Sequence, residues 1–338
     1  VIFLNITDLK LIIQKLFYTE SVRNVKAKIN KIITAVLIAV FSVVCISCGK
    51  SGNEGKEKLK IVTTLFPQYD FAKQIAGDNA EITLLLTPGS ESHTYEPTPK
   101  DVSKIQQADI FLYIGGESEV WADDVLRSVK NEKIKAVRLM DYITPVEEIH
   151  DTSEGEEHGH DETEFDEHIF TSLKNAEILL DEISSVICEA DKANSEIYKK
   201  NASEYLAKIK ELDEQFTELI NNAERKTVVF GDRFPFRYFA EDYGLEYHAA
   251  FSGCSSETEA SSATMSYLID IVKKENIPVV FYIEFSAKTI ADKIADATGT
   301  KTSLLHSCHN ISKEDLQNNV TYVDLMTNNY KNLSEAIN

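Results

Sequence analysis

Short apolar runs alternate with segments of helical periodicity along residues 59–140. We expect strands at 59–65, 81–86, 109–114 and 135–140, and helices at 66–75, 99–108 and 121–129. Such alternation is typical of a parallel sheet whose crossover helices cover its faces. The pattern therefore predicts a first α/β lobe built on a parallel sheet.

The same alternation stops near residue 145 and starts again after residue 226, which predicts a second α/β lobe. Here we expect strands at 227–230, 246–251, 278–283 and 302–305, and helices at 262–275, 286–297 and 322–337. Residues 172–225 contain no proline or glycine, and their apolar positions recur with helical spacing. They predict a long helix at about 194–223, which would act as a stiff spacer between the lobes.

The patterns divide the mature chain into an N-terminal lobe at 59–171, linking helices at 172–225 and a C-terminal lobe at 226–338. Within the first lobe, residues 147–166 are mostly acidic and include His150, His158 and His160. Dense like charge with few apolar residues predicts disorder in this loop. Its function is left open between a solvated acidic loop and a weak metal-collecting arm.

An unbroken apolar run at residues 32–46 follows three lysines and has the length of a signal-peptide core. It is short for a membrane-spanning helix. The run ends in Cys-Ile-Ser-Cys-Gly, which resembles a bacterial lipobox and makes Cys48 the predicted lipid attachment site. A plain signal anchor is the alternative.

Residues 1–48 are thus interpreted as an upstream segment and a lipoprotein signal peptide, and residues 49–58 as a polar tether to the membrane. Residues 1–24 do not fit a signal peptide, because charged residues interrupt their apolar positions. We therefore expect translation to start near Val25, which N-terminal analysis of the unprocessed precursor tests.

Charge narrows the possible partners. The formal net charge is −20 over 338 residues, which argues against nucleic acid because phosphate binding needs a basic surface. An acidic protein is compatible with a cation as its cargo.

Candidate metal ligands lie where the predicted strands end. His93 follows the strand at 81–86, His306 follows the strand at 302–305, and Asp232 and Glu284 also come just after strands. In open parallel sheets, ligands bind beyond the carboxyl ends of the strands. Imidazole is the commonest protein ligand for transition metals, so this placement predicts a metal site in a cleft between the lobes.

Two motifs give a specific resemblance. The run Ser-His-Thr-Tyr-Glu-Pro-Thr-Pro at 92–99 and the run Asp-Glu-His-Ile-Phe at 166–170, with the histidine-bearing loop and the long linking helix, resemble the zinc- and manganese-binding lipoproteins of bacterial ABC importers. The resemblance extends from about residue 59 to the end. It implies two lobes joined by a rigid helix, one metal ion between them, and a monomer that passes the metal to a membrane permease.

The resemblance implies that His93 and His168 are ligands from the first lobe. The usual second-lobe ligand position falls on Arg233, which stays protonated and cannot bind a metal. The last carboxylate position of the family falls on His306, although His309 lies close by and could replace it. The expected metal ligands are His93, His168 and His306, with Asp232 or Glu284 as a possible fourth.

Three imidazoles and one oxygen suit zinc, whereas manganese prefers more oxygen ligands. Glu96 is interpreted either as a carboxylate that fixes the tautomer of a ligand or as a residue of a helix start. The resemblance also implies a disulfide between Cys254 and Cys308, which export permits. The alternative is that Cys308 is itself a zinc ligand.

The leading functional interpretation is a zinc receptor of an ABC importer, without enzymatic activity. One alternative is an exported zinc metalloenzyme, although the chain has no His-Glu-x-x-His motif. The other is a manganese or iron receptor with a role in adhesion. The sequence does not separate zinc, manganese and iron.

Overall fold

The computed structural model describes Lys10, Tyr18 and residues 58–131, 133–148, 165–255 and 259–338. The predicted signal peptide, the lipid attachment at Cys48, the tether before residue 58 and the loop histidines His150, His158 and His160 lie outside these described residues. In the part of the chain that the structure describes, no helix has both the length and the apolar character needed to cross a bilayer.

The first lobe contains a four-stranded parallel sheet with the strand order β2-β1-β3-β4. Its strands are β1 Leu59–Thr63, β2 Ala80–Leu84, β3 Ile110–Tyr113 and β4 Lys135–Arg138. Its helices are α1 Phe66–Ala76, α2 Pro99–Gln106 and α3 Val120–Ser128. The alternation read from the sequence is confirmed, with boundaries that shift by a few residues.

The second lobe repeats this topology with the strand order β6-β5-β7-β8, again entirely parallel. Its strands are β5 Thr227–Phe234, β6 Glu246–Ser252, β7 Val279–Tyr282 and β8 Lys301–Leu304. Two further helices, α4 Leu173–Ala190 and α5 Ser195–Asn221, connect the two sheets. The remaining helices are α6 Arg237–Tyr243, α7 Ser262–Lys274, α8 Thr289–Thr298, α9 Lys313–Gln317 and α10 Tyr322–Ile337. The fold is therefore two parallel-sheet α/β lobes, as the sequence predicts.

Local chemistry explains where helix α2 begins. Thr98 precedes the helix, and its hydroxyl accepts a hydrogen bond from the amide of Asp101 at 3.3 Å. The Asp101 carboxylate in turn accepts from the amide of Thr98 at 3.2 Å. Pro99 in the first turn has the backbone angle of a helix and lacks an N–H that would need a partner. The helix start thus fixes the end of the loop that carries His93.

Helix α5 is the long helix predicted at 194–223, and it buries one continuous face. Its buried side chains recur every three or four residues: Tyr198, Ala202, Tyr205, Ile209, Leu212, Phe216, Leu219 and Ile220. They belong to a single hydrophobic core that includes residues of both sheets, within the compact unit Lys58–Asn338. Burial of this face against both lobes makes α5 part of the core as well as a spacer.

A buried carboxylate joins three helices in this core. The Asp70 carboxylate of α1 accepts hydrogen bonds from the Tyr205 hydroxyl of α5 at 2.5 Å and from the Tyr322 amide of α10 at 3.0 Å. Burial raises the pKa of Asp70, while the Tyr205 hydroxyl favours its ionised form. Helices from the beginning, middle and end of the chain are thereby held at one point.

We predict that Tyr205→Phe lowers the free energy of unfolding by about 1–3 kcal/mol, because a buried carboxylate loses a hydrogen-bond donor. Urea denaturation measures the effect. Tyr267→Phe is the matched control, since that hydroxyl is exposed and its hydrogen bond among the described residues is to His248. Equal stability of the Tyr205 variant and the native protein would show that the contact contributes little.

Candidate metal centre

Three histidines from three separate loops converge in the structure. His93 lies between β2 and α2, His168 lies directly before the short turn Ile169–Thr171, and His309 lies after β8. One ring nitrogen from each lies within 4.8 Å of the others. The ring centroids are 5.3 Å apart for His93 and His168, and 4.4 Å apart for His168 and His309. This group is called the imidazole cluster below.

Burial leaves one nitrogen of the imidazole cluster without a partner. His309 is 6% exposed, and its Nε2 is buried with no hydrogen bond to any residue that the structure describes. A buried polar atom without a partner costs free energy, so native structures rarely contain one. A metal ion between the three rings would supply the missing partner.

Burial also sets the protonation of two of these rings, His168 and His309. It lowers the pKa of His168 and of His309 well below the ordinary value, and the neighbouring imidazoles lower both further. Both rings are therefore neutral near pH 7. Neutral imidazole is the form that binds a metal ion.

Asp166 orients the ring of His168. Its Oδ1 lies 2.9 Å from His168 Nδ1 and accepts a hydrogen bond from the His168 amide at 2.7 Å. A carboxylate on one ring nitrogen fixes the tautomer and leaves the other nitrogen for a metal. Sequence reasoning did not assign this role to Asp166, although its position two residues before the histidine was the available signal.

His306 lies outside the imidazole cluster, and His309 occupies the place predicted for it. His306 Nδ1 accepts the amide of Cys308 at 3.0 Å, which turns the ring into its own loop. Asn329 holds the backbone of His306 through its side-chain amide, at 2.7 Å and 2.8 Å. Cys308 then adopts a left-handed backbone with φ of +67°, and His309 follows it into the cluster.

The predicted carboxylates are held by groups of the second lobe. Glu284 accepts hydrogen bonds from the Ser307 amide at 2.8 Å and from the Ser307 hydroxyl. Asp232 accepts from the amides of Arg233 at 2.9 Å and Ile283 at 3.3 Å. Neither contributes an oxygen to the imidazole cluster. Their role in the structure is to fix the loops around it.

Glu96 does not reach a ligand ring in the structure. Its side chain is exposed, and no described hydrogen bond joins it to a histidine. The capping role at the start of α2 belongs instead to Thr98 and Asp101. Of the two interpretations of Glu96, neither has a contact that supports it.

The predicted disulfide is not formed, since Cys254 and Cys308 are both free thiols. Cys308 is fully buried, and its sulfur donates to the carbonyl of His306 in its own loop at 3.6 Å. The amide of Cys254 bonds to Glu148 at 3.4 Å. Burial raises the pKa of both thiols, which opposes the thiolate form that binds zinc. The imidazole cluster includes neither sulfur.

Two parallel-sheet lobes with an imidazole cluster between their loops define a class of two-lobed α/β binding proteins. Residues 61–336 match the family described as ZnuA, zinc-uptake complex component A, periplasmic. The chain belongs to this family. The resemblance drawn from the His93 and His168 motifs is thereby confirmed at the level of the family.

Curated relatives align along most of the chain. The zinc-binding lipoprotein AdcA of Streptococcus pneumoniae is 33% identical over 309 residues, which cover 90% of this chain and 60% of the relative. The high-affinity zinc uptake system protein ZnuA of Bacillus subtilis is 32% identical over 310 residues, which cover 89% of this chain and 96% of the relative. The chain thus spans about 60% of the length of the streptococcal relative.

Solved structures have the same fold. The Zn(II)-bound ZnuA-like domain of Streptococcus pneumoniae AdcA matches with a TM-score of 0.70 and 32% identity, over 83% of this chain and 99% of that one. The metal-dependent lipoprotein YcdH of Bacillus subtilis matches with a TM-score of 0.71 and 30% identity, over 83% of this chain and 100% of that one. None of these relatives is named as an enzyme.

We predict that Cys188, Cys254 and Cys308 all react with an alkylating agent when the unreduced protein is denatured. Peptide mass spectrometry would find the label on each cysteine. A peptide pair linked through Cys254 and Cys308 would contradict the free thiols of the structure and restore the disulfide implied by the resemblance.

Proposed function

We propose that this protein captures a zinc ion outside the cytoplasm and delivers it to the permease of an ABC importer. The observation that carries the proposal is the convergence of His93, His168 and His309, with ring nitrogens within 4.8 Å of one another. The names of the relatives support zinc as the cargo, since they are called zinc-binding or zinc uptake proteins.

The chemistry of the cluster favours zinc over manganese. Three imidazole nitrogens suit zinc, which binds three or four protein ligands in tetrahedral geometry. Manganese prefers oxygen ligands, and the cluster contributes none. Iron is disfavoured for the same reason, since its common sites combine imidazole with a carboxylate.

Binding, rather than catalysis, fits the surroundings of the cluster. The nearby carboxylates Asp166, Asp232 and Glu284 each accept hydrogen bonds that orient the loops or rings around the cluster. The family name, a component of a zinc-uptake complex, supports a transport partner. A role in adhesion has no described residue that favours it.

Membrane anchoring is part of the proposal. The relative AdcA is named a lipoprotein, which supports lipid attachment at Cys48 and a tether to residue 58. We further propose that the protein acts as a monomer and that His150, His158 and His160 collect metal for the cluster. The acidic charge of the chain would then raise the local concentration of cations.

Metal loading would require little movement of the lobes. Helix α5 and the continuous core hold both sheets, and hydrogen bonds already fix the loops of His168 and His309. The His93 loop is the less buried part of the site. We propose that binding orders this loop around a site whose other two ligands are in place.

We predict that zinc raises the melting temperature of the native protein, because it binds the folded state only. His309→Ala should remove most of this rise, whereas the matched variant His306→Ala should retain it. Thermal unfolding with and without zinc measures both. If zinc still raises the melting temperature of His309→Ala but not that of His306→Ala, then His306 is the ligand and His309 is not.

We predict that the protein binds zinc at least about a hundredfold more tightly than manganese, from the preference of nitrogen-rich sites. Competition between the two ions, in protein purified without a chelator, measures the ratio. His93→Ala is the control, since it should weaken the binding of both ions. Equal affinities would contradict the assignment of zinc.

A further inference from the structure

An ion pair connects the two lobes at the wall of the metal cavity. Glu91, in the loop that leads to His93, lies 2.8 Å from Arg233 at the end of β5, measured from Oε2 to Nη2. Both side chains line the small cavity, of about 30 Å³, that also contains the three clustered imidazoles. The pair therefore contacts the same space that a metal ion would occupy.

The pair also faces a second and wider cavity. Glu91, His93 and Arg233 line this space of about 390 Å³ together with residues of the β7–α8 loop. The Arg233 side chain is 18% exposed and that of Glu91 is 39% exposed. The ion pair thus stands at the boundary between the buried imidazoles and solvent.

Arg233 brings a permanent positive charge to this boundary. Its guanidinium does not deprotonate in proteins, so the charge is present at every physiological pH. Arg233 lines the same small cavity as the rings of the imidazole cluster. A metal dication among these rings would be repelled by the charge of Arg233.

Glu91 differs from the other carboxylates of the cavity in how it is held. Its Oε2 accepts a hydrogen bond from the charged guanidinium of Arg233, whereas Glu284 accepts hydrogen bonds from the amide and hydroxyl of Ser307. Its Oε1 lies 3.4 Å from the His93 amide, which keeps the carboxylate next to a cluster histidine.

We propose that Arg233 holds the Glu91 carboxylate away from the metal and opposes the charge of the ion, so that this ion pair sets the affinity of the three-histidine site. The inference rests on the proposed zinc-binding function and deepens it. A receptor that must pass its metal to a partner needs an affinity that permits release. Arg233 lowers the affinity for zinc, and Glu91 raises it.

The test is a zinc titration of the metal-free full chain against a chromophoric chelator. The Arg233→Gln substitution releases Glu91 and removes the positive charge that repels zinc. The affinity of this variant for zinc should therefore be about ten- to a hundredfold higher than that of the native protein. Glu91→Gln leaves Arg233 unneutralised, so its affinity should fall by about tenfold or more. The double variant removes both charges and should return close to the native affinity.

Two controls separate charge from structure. Arg233→Lys keeps the positive charge and should stay within about threefold of the native affinity. Arg127→Gln removes an equal charge from an exposed pair with Asp124 on α3 and should leave the affinity unchanged. Melting temperatures of the metal-free variants show whether each one folds.

The inference is overturned if the native chain binds zinc and Arg233→Gln binds it equally or more weakly. The proposed function is unaffected by that result. Weaker zinc binding in both single variants also overturns the inference. Such a result would mean that the ion pair stabilises the contact between the lobes and does not set the affinity through charge. A native chain that binds no zinc defeats the proposed function itself. Opposite shifts in the two single variants support the inference.

Discussion

The buried and unpartnered Nε2 of His309 is the constraint on which the site depends. The described residues around this nitrogen bury it but supply no hydrogen bond, which costs folding free energy. The same burial keeps His168 and His309 neutral. Under the proposed function, a metal ion would complete this site, and stability and metal binding would be linked through the same atoms.

The rest of the fold positions the three rings. Both sheets are parallel, so the loops at the carboxyl ends of their strands face a common space. Asp166 orients His168, and Asn329 fixes the loop that leads to His309. The core around helix α5 continues through both lobes. The three rings are therefore positioned by hydrogen bonds already formed in loops beside a continuous core.

Much of this architecture could be predicted from the sequence. The periodicity of apolar residues predicted both lobes and the long helix. An element that buries one face must carry apolar side chains at the spacing of that face, so the sequence shows this pattern directly. The choice between His306 and His309 was beyond the sequence, because it depends on the left-handed backbone of Cys308. Spacing along a chain does not reveal which of two nearby rings a tight turn directs inward. The disulfide implied by the resemblance is also absent from the structure, in which the Cys308 sulfur donates to the carbonyl of His306.

The most direct test of the account is a crystal of the zinc-loaded protein, measured at the zinc absorption edge. Coordination by the imidazole cluster predicts one strong anomalous peak at about 2.0–2.1 Å from a ring nitrogen of His93, of His168 and of His309. A peak bound instead by His306 and Glu284, or by the sulfur of Cys308, would contradict it.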